Sequence, residues 1–300
     1  MSYPAYLDLA RTGELERRAE ALAALQSPCR LCARQCGARR REGELGECRA
    51  ATDMVLANAF PHFGEEPPVT GQRGSGTIFL AHCNLHCVFC QNFDISHRDR
   101  GEKTSVRQVA DLMLALRREG CHNINFVTPT HFSPQIVAAV ADAAARGLEL
   151  PLVWNCGGYE SVEALRLLDG IVDIYMPDIK FMTTESAQRY SHAPDYPEVV
   201  RAAVLEMKRQ VGDLEEDACG IARRGLLVRH LVMPGGERDT EGVLRFVAEE
   251  LGRDTYINVM DQYRPMWRAM EYPEIARALS GPQWERAASQ ARSLGLHRGF

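Results

Sequence analysis

The chain has 300 residues, 45% hydrophobic and 25% charged, the composition of a globular protein with one large domain or two smaller ones. Lys and Arg number 35 against 40 Asp and Glu, a net charge of -5, which disfavours duplex nucleic acid as the main partner. No run of about 18 uncharged apolar residues offers a membrane span, and the N-terminus MSYPAYLDLARTGELERR lacks a signal peptide's apolar core. The expected compartment is the cytoplasm, where disulfides are rare, so the ten cysteines need another explanation.

An N-terminal helical stretch leads to the first cysteine group, Cys29-x2-Cys32-x3-Cys36-x11-Cys48. Gly43 and Gly46 permit tight turns there. Four thiolates suit zinc or an auxiliary iron–sulfur cluster. Zinc or another single structural metal is slightly favoured, because a compact cap can need metal to fold. Arg30, Arg34, Arg39, Arg40, Arg41 and Arg49 outnumber Glu42, Glu44 and Glu47 here. The plain reading of that excess is a solvated face, with partial compensation of the thiolates or attraction of an acidic partner as the alternatives. The stretch Pro61–Gly76 is rich in Gly and Pro and reads as a boundary. It divides a cap over residues 1–70 from a main domain over 71–270, followed by a helical segment over 271–300.

A strand over Gly76–Ala81 runs into the second group, Cys83-x3-Cys87-x2-Cys90, flanked by His82 and His86. Seven of the ten cysteines thus sit in two short clusters, a metal-site pattern. Three thiolates within eight residues can surround one compact centre, because so short a loop closes cheaply. Three ligands leave one iron of a 4Fe-4S cluster open to a ligand or substrate. Zinc completed by His82 or His86 is the competing reading.

Beyond the loop, short β-rich runs alternate with helical ones. A helix capped by Ser105 stops near Gly120, a strand covers Asn123–Thr128, and a helix opens at Ser133-Pro134 and ends near Gly147. A strand covers Leu150–Asn155, a short helix starts at Ser161, and a strand covers Ile171–Met176. A longer polar stretch precedes a strand over Leu226–Met233. A helix from Thr240 to Gly252 and a strand over Thr255–Met260 follow, with one or two helices at the end. Six β–α units in series predict an α/β fold with a parallel sheet and helices outside. Polar side chains gather at the strand ends: Thr128, Thr130 and His131; Asn155; Asp178 and Lys180; Arg229; Gln262. Such a set of donors and acceptors suits a polar ligand. Cys121, Cys156 and Cys219 read as structural thiols, with Cys156 set apart by its neighbour Asn155. Aromatic packing is the expected role of Tyr159 and Tyr263.

The C-x3-C-x2-C spacing, with the aromatic Phe89 before its last cysteine, resembles the radical S-adenosylmethionine (SAM) superfamily. The resemblance implies a partial (β/α)6 TIM-like barrel behind the N-terminal cysteine-rich cap. It also implies a 4Fe-4S cluster on Cys83, Cys87 and Cys90, and SAM chelated to the open iron. Reductive cleavage of SAM would give a 5'-deoxyadenosyl radical that abstracts hydrogen, with electrons from a donor such as flavodoxin or ferredoxin. Asp178-Ile179-Lys180 and the Arg229-x-Leu-Val-Met-Pro-Gly run resemble glycyl-radical-enzyme activases of the pyruvate formate-lyase activating type. A closer resemblance is to their uncharacterised homologues. It rests on Pro61–Pro68, Gly74–Phe79, Cys90-Gln91-Asn92, Val127–His131 and Gln262–Pro265, and runs from about Cys29 to about Pro265. The resemblance to the activases implies that Asn155 and Lys180 face SAM and that Arg229 lies near it. Two departures stand out. Thr128-Pro129-Thr130-His131 replaces the activase Gly-Gly-Glu, and Gln262 stands where a His is expected; Gly235-Gly236-Glu237 reads as a turn. The substrate is then a glycine of a glycyl-radical protein, or a small molecule or peptide. Outside the enzyme reading stand a zinc or iron–sulfur scaffold and a nucleic-acid-binding zinc protein.

Overall fold

A computed structural model describes residues 3–300, and its sheet has nine strands: β1 Met54–His62, β2 Ser75–Leu80, β3 Glu102–Thr104, β4 Ile124–Val127, β5 Leu152–Cys156, β6 Ile174–Pro177, β7 Glu215–Glu216, β8 Ala222–Leu231 and β9 Tyr256–Met260. Strands β2, β4, β5, β6, β8 and β9 lie side by side in that order, and every pair is parallel. Helices connect them: Val106–Arg118, Ser133–Ala145, Val162–Leu167, the pair Thr184–Ser191 and Tyr196–Val211, and Glu237–Phe246. Strands β4, β5 and β6 are buried along their whole length, which is why they read as short apolar runs rather than alternating ones. Among the described residues no pairing joins β9 back to β2. The chain is therefore a mixed α/β protein with a largely parallel, open sheet. None of its described helices is long and apolar enough to cross a membrane.

Three strands were not anticipated, β1, β3 and the two-residue β7. β1 pairs antiparallel with β2, and β3 with β1. β1 contains Pro61, which lacks a ladder donor, and β3 is the tripeptide Glu-Lys-Thr, so neither carries a strand signature. The boundary expected after residue 70 therefore falls between two strands that are hydrogen-bonded to each other. The long stretch before β8 is filled by two helices, the second opened by Pro197 in its first turn.

The N-terminal segment docks on the sheet's helices. The helix Glu14–Ala24 packs against Ser133–Ala145 through the buried Leu15 and Leu22, and the Tyr6 hydroxyl donates to the carbonyls of Leu148 and Leu150. Two buried carboxyls tie connections together. Asp173 accepts from the backbone N–H groups of Ala5 and Leu152. Glu160 accepts from the Thr130 hydroxyl at 2.6 Å. Burial pushes Asp173 up to about 6 and Glu160 up to about 7. A carboxyl raised on folding contributes stability that is full below its unfolded value and is lost as pH rises through its folded value. Glu160 is therefore expected to cost about 3 kcal/mol between pH about 4 and pH about 8. Denaturant unfolding across that range checks this. The decline with rising pH should be shallower in Glu160→Gln than in the wild type.

Candidate active site

The cysteine loop leaves β2 through His82, whose φ of 70° is left-handed, a conformation a non-glycine residue holds only when its surroundings enforce it. No regular element fixes the loop; three buried apolar side chains and a few cross-links do. Leu85, Val88 and Phe89 are buried. Val88 N–H donates to Tyr190 O and His86 N–H to Ser191 O, while Arg268 N–H donates to Val88 O. The Asn84 amide donates to Tyr159 O. Gly157, after β5, has no room for a side chain, since a Cβ there would lie 2.8 Å from Leu85.

Cys83, Cys87 and Cys90 are free thiols on the wall of one cavity of about 460 Å³, within the range of small-molecule sites. Cys87 Sγ lies 3.0 Å from Ser191 Oγ, Cys90 Sγ 3.1 Å from Ser96 Oγ, and the Leu85 N–H donates to Cys83 Sγ at 3.4 Å. Burial is the largest influence on all three thiols and pushes each up. The loop histidines turn elsewhere. His82 Nδ1 lies 2.9 Å from Asp99 and His86 Nε2 3.1 Å from Glu47. Neither lines the cavity, so neither is placed to complete a zinc site with the three thiols. Among the described residues no three His, Cys, Asp or Glu side chains converge closely enough to share one ion. The fit of a cluster therefore rests on the donor set, three thiols at one wall beside open volume, which suits a cubane with one iron left without a protein ligand.

Apart from the loop residue Phe89, the rest of the predicted set comes from strand ends. Phe89, Thr128, Asn155, Asp178, Lys180, Arg229 and Gln262 all line the same cavity as the cysteines. Thr128 has a left-handed φ of 58° and bonds its N–H to Asn155 O. Phe89 packs edge-on against Phe181 and near Tyr263. Arg229 is the hub. Its Nε donates to Asp178 at 2.7 Å, its Nη2 to Asn155 Oδ1 at 2.6 Å, and its Nη1 to Glu65 at 3.3 Å. Lys180 Nζ donates to the other Asp178 oxygen at 2.7 Å. Burial works to raise Asp178, but Arg229 and Lys180 together hold it below the usual carboxylate range. Burial works to lower Lys180, and Asp178, followed by Cys87, more than reverses it. The cavity thus holds a charged, positioned network next to the thiols.

Thr130 and His131 lie elsewhere. A short 3-10 turn over Thr130–Phe132 carries both into the protein. Thr130 binds Glu160, and His131 Nε2 lies 2.8 Å from Ala81 O, with burial lowering its pKa to about 3. They hold the end of β4 to its surroundings, away from the cavity lining. Tyr263 and Tyr159 spend their hydroxyls on Ile275 O and Asp195. Cys156 lines the cavity and is buried, Cys121 is buried, and Cys219 is exposed. Glu65 and Glu66, neither of them anticipated, also line the cavity. They stand in the Pro61–Pro68 run that carries part of the family resemblance, but that run also reads as a linker and nothing in it marks them as site residues.

Cys29, Cys32, Cys36 and Cys48 lie in a folded knuckle. Cys29 N–H donates to Ala38 O, and Gly37 N–H to Cys29 O. The space beside Gly46 is shared by Cys48 Sγ and Cys36 Sγ, 3.4 and 3.6 Å from where a Cβ would stand. Burial pushes Cys32 up to about 12 and also raises Cys48. Of the arginines around the knuckle, Arg30, Arg39 and Arg41 are exposed, as a solvated face expects, whereas Arg34, Arg40 and Arg49 bond backbone carbonyls. Arg34 donates to the carbonyls of Asn84, Ser191 and His192, and Arg49 to those of Ser96 and His97, which fastens the knuckle to the cysteine loop. Arg40 is 1% exposed, donates to Ala51 O and His131 O, and lies 3.9 Å from Cys29 Sγ. No carboxylate among the described residues pairs with it, and its Nε has no partner.

Residues 77–215 match the family model of the Radical SAM superfamily. The chain is also 31% identical over 301 aligned positions to the "Uncharacterized protein MJ0674" of Methanocaldococcus jannaschii, an alignment covering 97% of this chain and 82% of that protein.

Proposed function

The chain belongs to the radical SAM superfamily, and from that premise we propose that Cys83, Cys87 and Cys90 hold its 4Fe-4S cluster and that SAM occupies the adjoining cavity. The observation that carries this reading is the meeting of three free thiols and a Lys180–Asp178–Arg229 network around one cavity. The chemistry the bound cluster supplies is one-electron reduction of SAM, releasing methionine and a 5'-deoxyadenosyl radical for hydrogen abstraction. Lys180 and Arg229 are the cations available to a carboxylate in the cavity, and Asp178 fixes both by bonding one through each oxygen. Asn155, held by Arg229, offers an amide to a polar group of the nucleoside. Phe89 and Leu85 give the cavity apolar surface that excludes water from a reactive species. We read the six parallel strands as a partial (β/α)6 barrel and flavodoxin or ferredoxin as the electron donor. Thr128–His131 and Gln262 depart from the activase pattern, so we place the substrate among small molecules rather than glycyl-radical proteins. Anaerobic reconstitution, reduction with dithionite and addition of SAM test the reading. The expected product is 5'-deoxyadenosine, and none above the Cys83/Cys87/Cys90→Ala triple variant would overturn it.

The knuckle cysteines belong to the same proposal as ligands of a second metal, zinc or an auxiliary iron–sulfur cluster. Arg40 supports this. A buried cation without a carboxylate needs an anion near it, and the thiolates of Cys29 and Cys48, which deprotonate on binding metal, supply one. Replacing Cys29, Cys32, Cys36 and Cys48 together with Ala is expected to remove one metal centre per chain, measured by iron, sulfide and zinc analysis. An unchanged metal content would refute the assignment.

A further inference from the structure

We infer that Glu65 and Glu66 form a subsite for the ammonium group of a small-molecule substrate, at the end of the cavity away from the cysteines. The reaction at this site rests on the radical SAM reading; the binding does not. The placement follows from the chain path. His62, the last residue of β1, pairs with Ser75, the first of β2. The loop bearing Glu65 and Glu66 therefore lies at the start of β2 and the cysteine loop at its end. Six strand residues separate the backbones of the two loops by roughly 20 Å, while the Glu65 and Glu66 side chains reach inward to Arg229. The same cavity reaches both.

Both acids are side-chain buried, 7% exposed for Glu65 and 4% for Glu66. Glu65 lies 3.2 Å from His62 Nδ1 and accepts from Arg229 at 3.3 Å. Glu66 Oε1 accepts from Asn258 at 3.0 Å, and Arg229 stands 3.8 Å from Oε2. Glu66 Oε2 is buried with no hydrogen-bond partner, a state that protein interiors rarely leave in place.

Charge arithmetic gives the same direction. Three carboxylates line this network (Asp178, Glu65, Glu66) against two permanent cations, Lys180 and Arg229. Thiolates at the cysteine wall would add to the excess of negative charge. Burial, and then Glu66 against the opposing pull of Arg229, pushes the Glu65 carboxyl up. One added cation would balance the site. An ammonium, with three donors and no acceptor, matches the carboxylate oxygens; Phe79 also lines the cavity, stacked on Phe60 and edge-to-face with His62.

SAM also carries an ammonium group, so two sources share this chemistry. Position favours the substrate. Asp178 and Asn155 take Nε and Nη2 of Arg229, whereas Glu65 and Glu66 approach its Nη1, and Lys180 bonds Asp178 rather than either acid.

The probe is methylammonium chloride, added to the reconstituted wild-type protein at millimolar concentration against sodium chloride of equal ionic strength. The expected result is a rise in Tm of about 3 °C at roughly tenfold the dissociation constant. The rise should persist when SAM is saturating, and SAM affinity should be the same with and without methylammonium. Glu65→Gln and Glu66→Gln should each lose most of the rise, while the surface variant Glu185→Gln keeps it. No rise in the wild type overturns the subsite. A rise abolished by SAM overturns the substrate assignment and gives the acids to SAM. Failure of the radical SAM reading would show separately, as absent 5'-deoxyadenosine, and leaves these binding outcomes readable.

Discussion

Replacing Cys83, Cys87 or Cys90 singly with Ala is expected to abolish SAM cleavage and to lower bound iron by about one cluster per chain, while thermal stability without metal falls little for Cys83 and Cys90. The asymmetry follows from burial. Cys87 is buried, whereas Cys83 and Cys90 are half-buried on the cavity side. Cys87 also has Lys180 as the main opposing influence on its thiol. Cys87→Ala therefore removes a packed side chain and a neighbour of a buried cation, and should cost about 1–2 kcal/mol beyond the other two. Ser191 and Ser96 extend the prediction. Their hydroxyls lie within hydrogen-bond distance of Cys87 and Cys90, and hydrogen bonds to cluster sulfurs favour the reduced form. The double variant Ser96→Ala, Ser191→Ala should bind a full complement of iron and show a more negative reduction potential in an anaerobic redox titration. An unchanged potential with iron fully bound would mean that these hydroxyls do not act on the sulfurs.

What the chain made legible depended on whether the physics was local. Strands β4, β5 and β6 are buried on both faces, so their apolar runs stand out, and the polar residues following Val127, Trp154 and Pro177 mark where each strand opens on the cavity. The cysteine spacing was legible because one short loop carries it. β1 was not, because its partner β2 supplies the pairing and Pro61 masks its character. Thr130 and His131 share a segment with Thr128, but a single 3-10 turn sends them away from the cavity while Thr128 stays on its wall. The arginines of the knuckle read as surface charge, which holds for the exposed Arg30, Arg39 and Arg41 but not for Arg34 and Arg49. Their partners are carbonyls of Asn84, Ser96 and Ser191, far along the chain and invisible to any local pattern. Glu65 was missed for the same reason, since its meaning comes from Arg229, 164 residues away.

Arg229→Leu is expected to be the most damaging single change in the cavity wall, lowering stability by about 3–5 kcal/mol and Tm by roughly 10 °C. Arg229 is 14% exposed and serves Asp178, Asn155, Glu65 and Glu66 at once. Without it, three carboxylates stay buried with Lys180 as the one permanent cation among them, and breaking a buried pair from one side leaves an uncompensated charge. The sign with pH is fixed by Asp178. Its folded value lies below the usual range, so its contribution in the wild type is present above the unfolded value and is lost as pH falls through the folded one. In Arg229→Leu that depression is weakened to what Lys180 alone supplies, and protonation of the three carboxyls relieves their repulsion. The stability gap between wild type and variant should therefore be wide at pH 8 and narrow toward pH 4, measured by denaturant unfolding at both. A gap independent of pH would show that Arg229 acts through packing alone. Arg229→Lys sharpens the test, because it restores the charge but not the fork that reaches Asp178 and Asn155 together. It should recover most of the stability at pH 8 and little of the SAM affinity, whereas a purely electrostatic role would restore both.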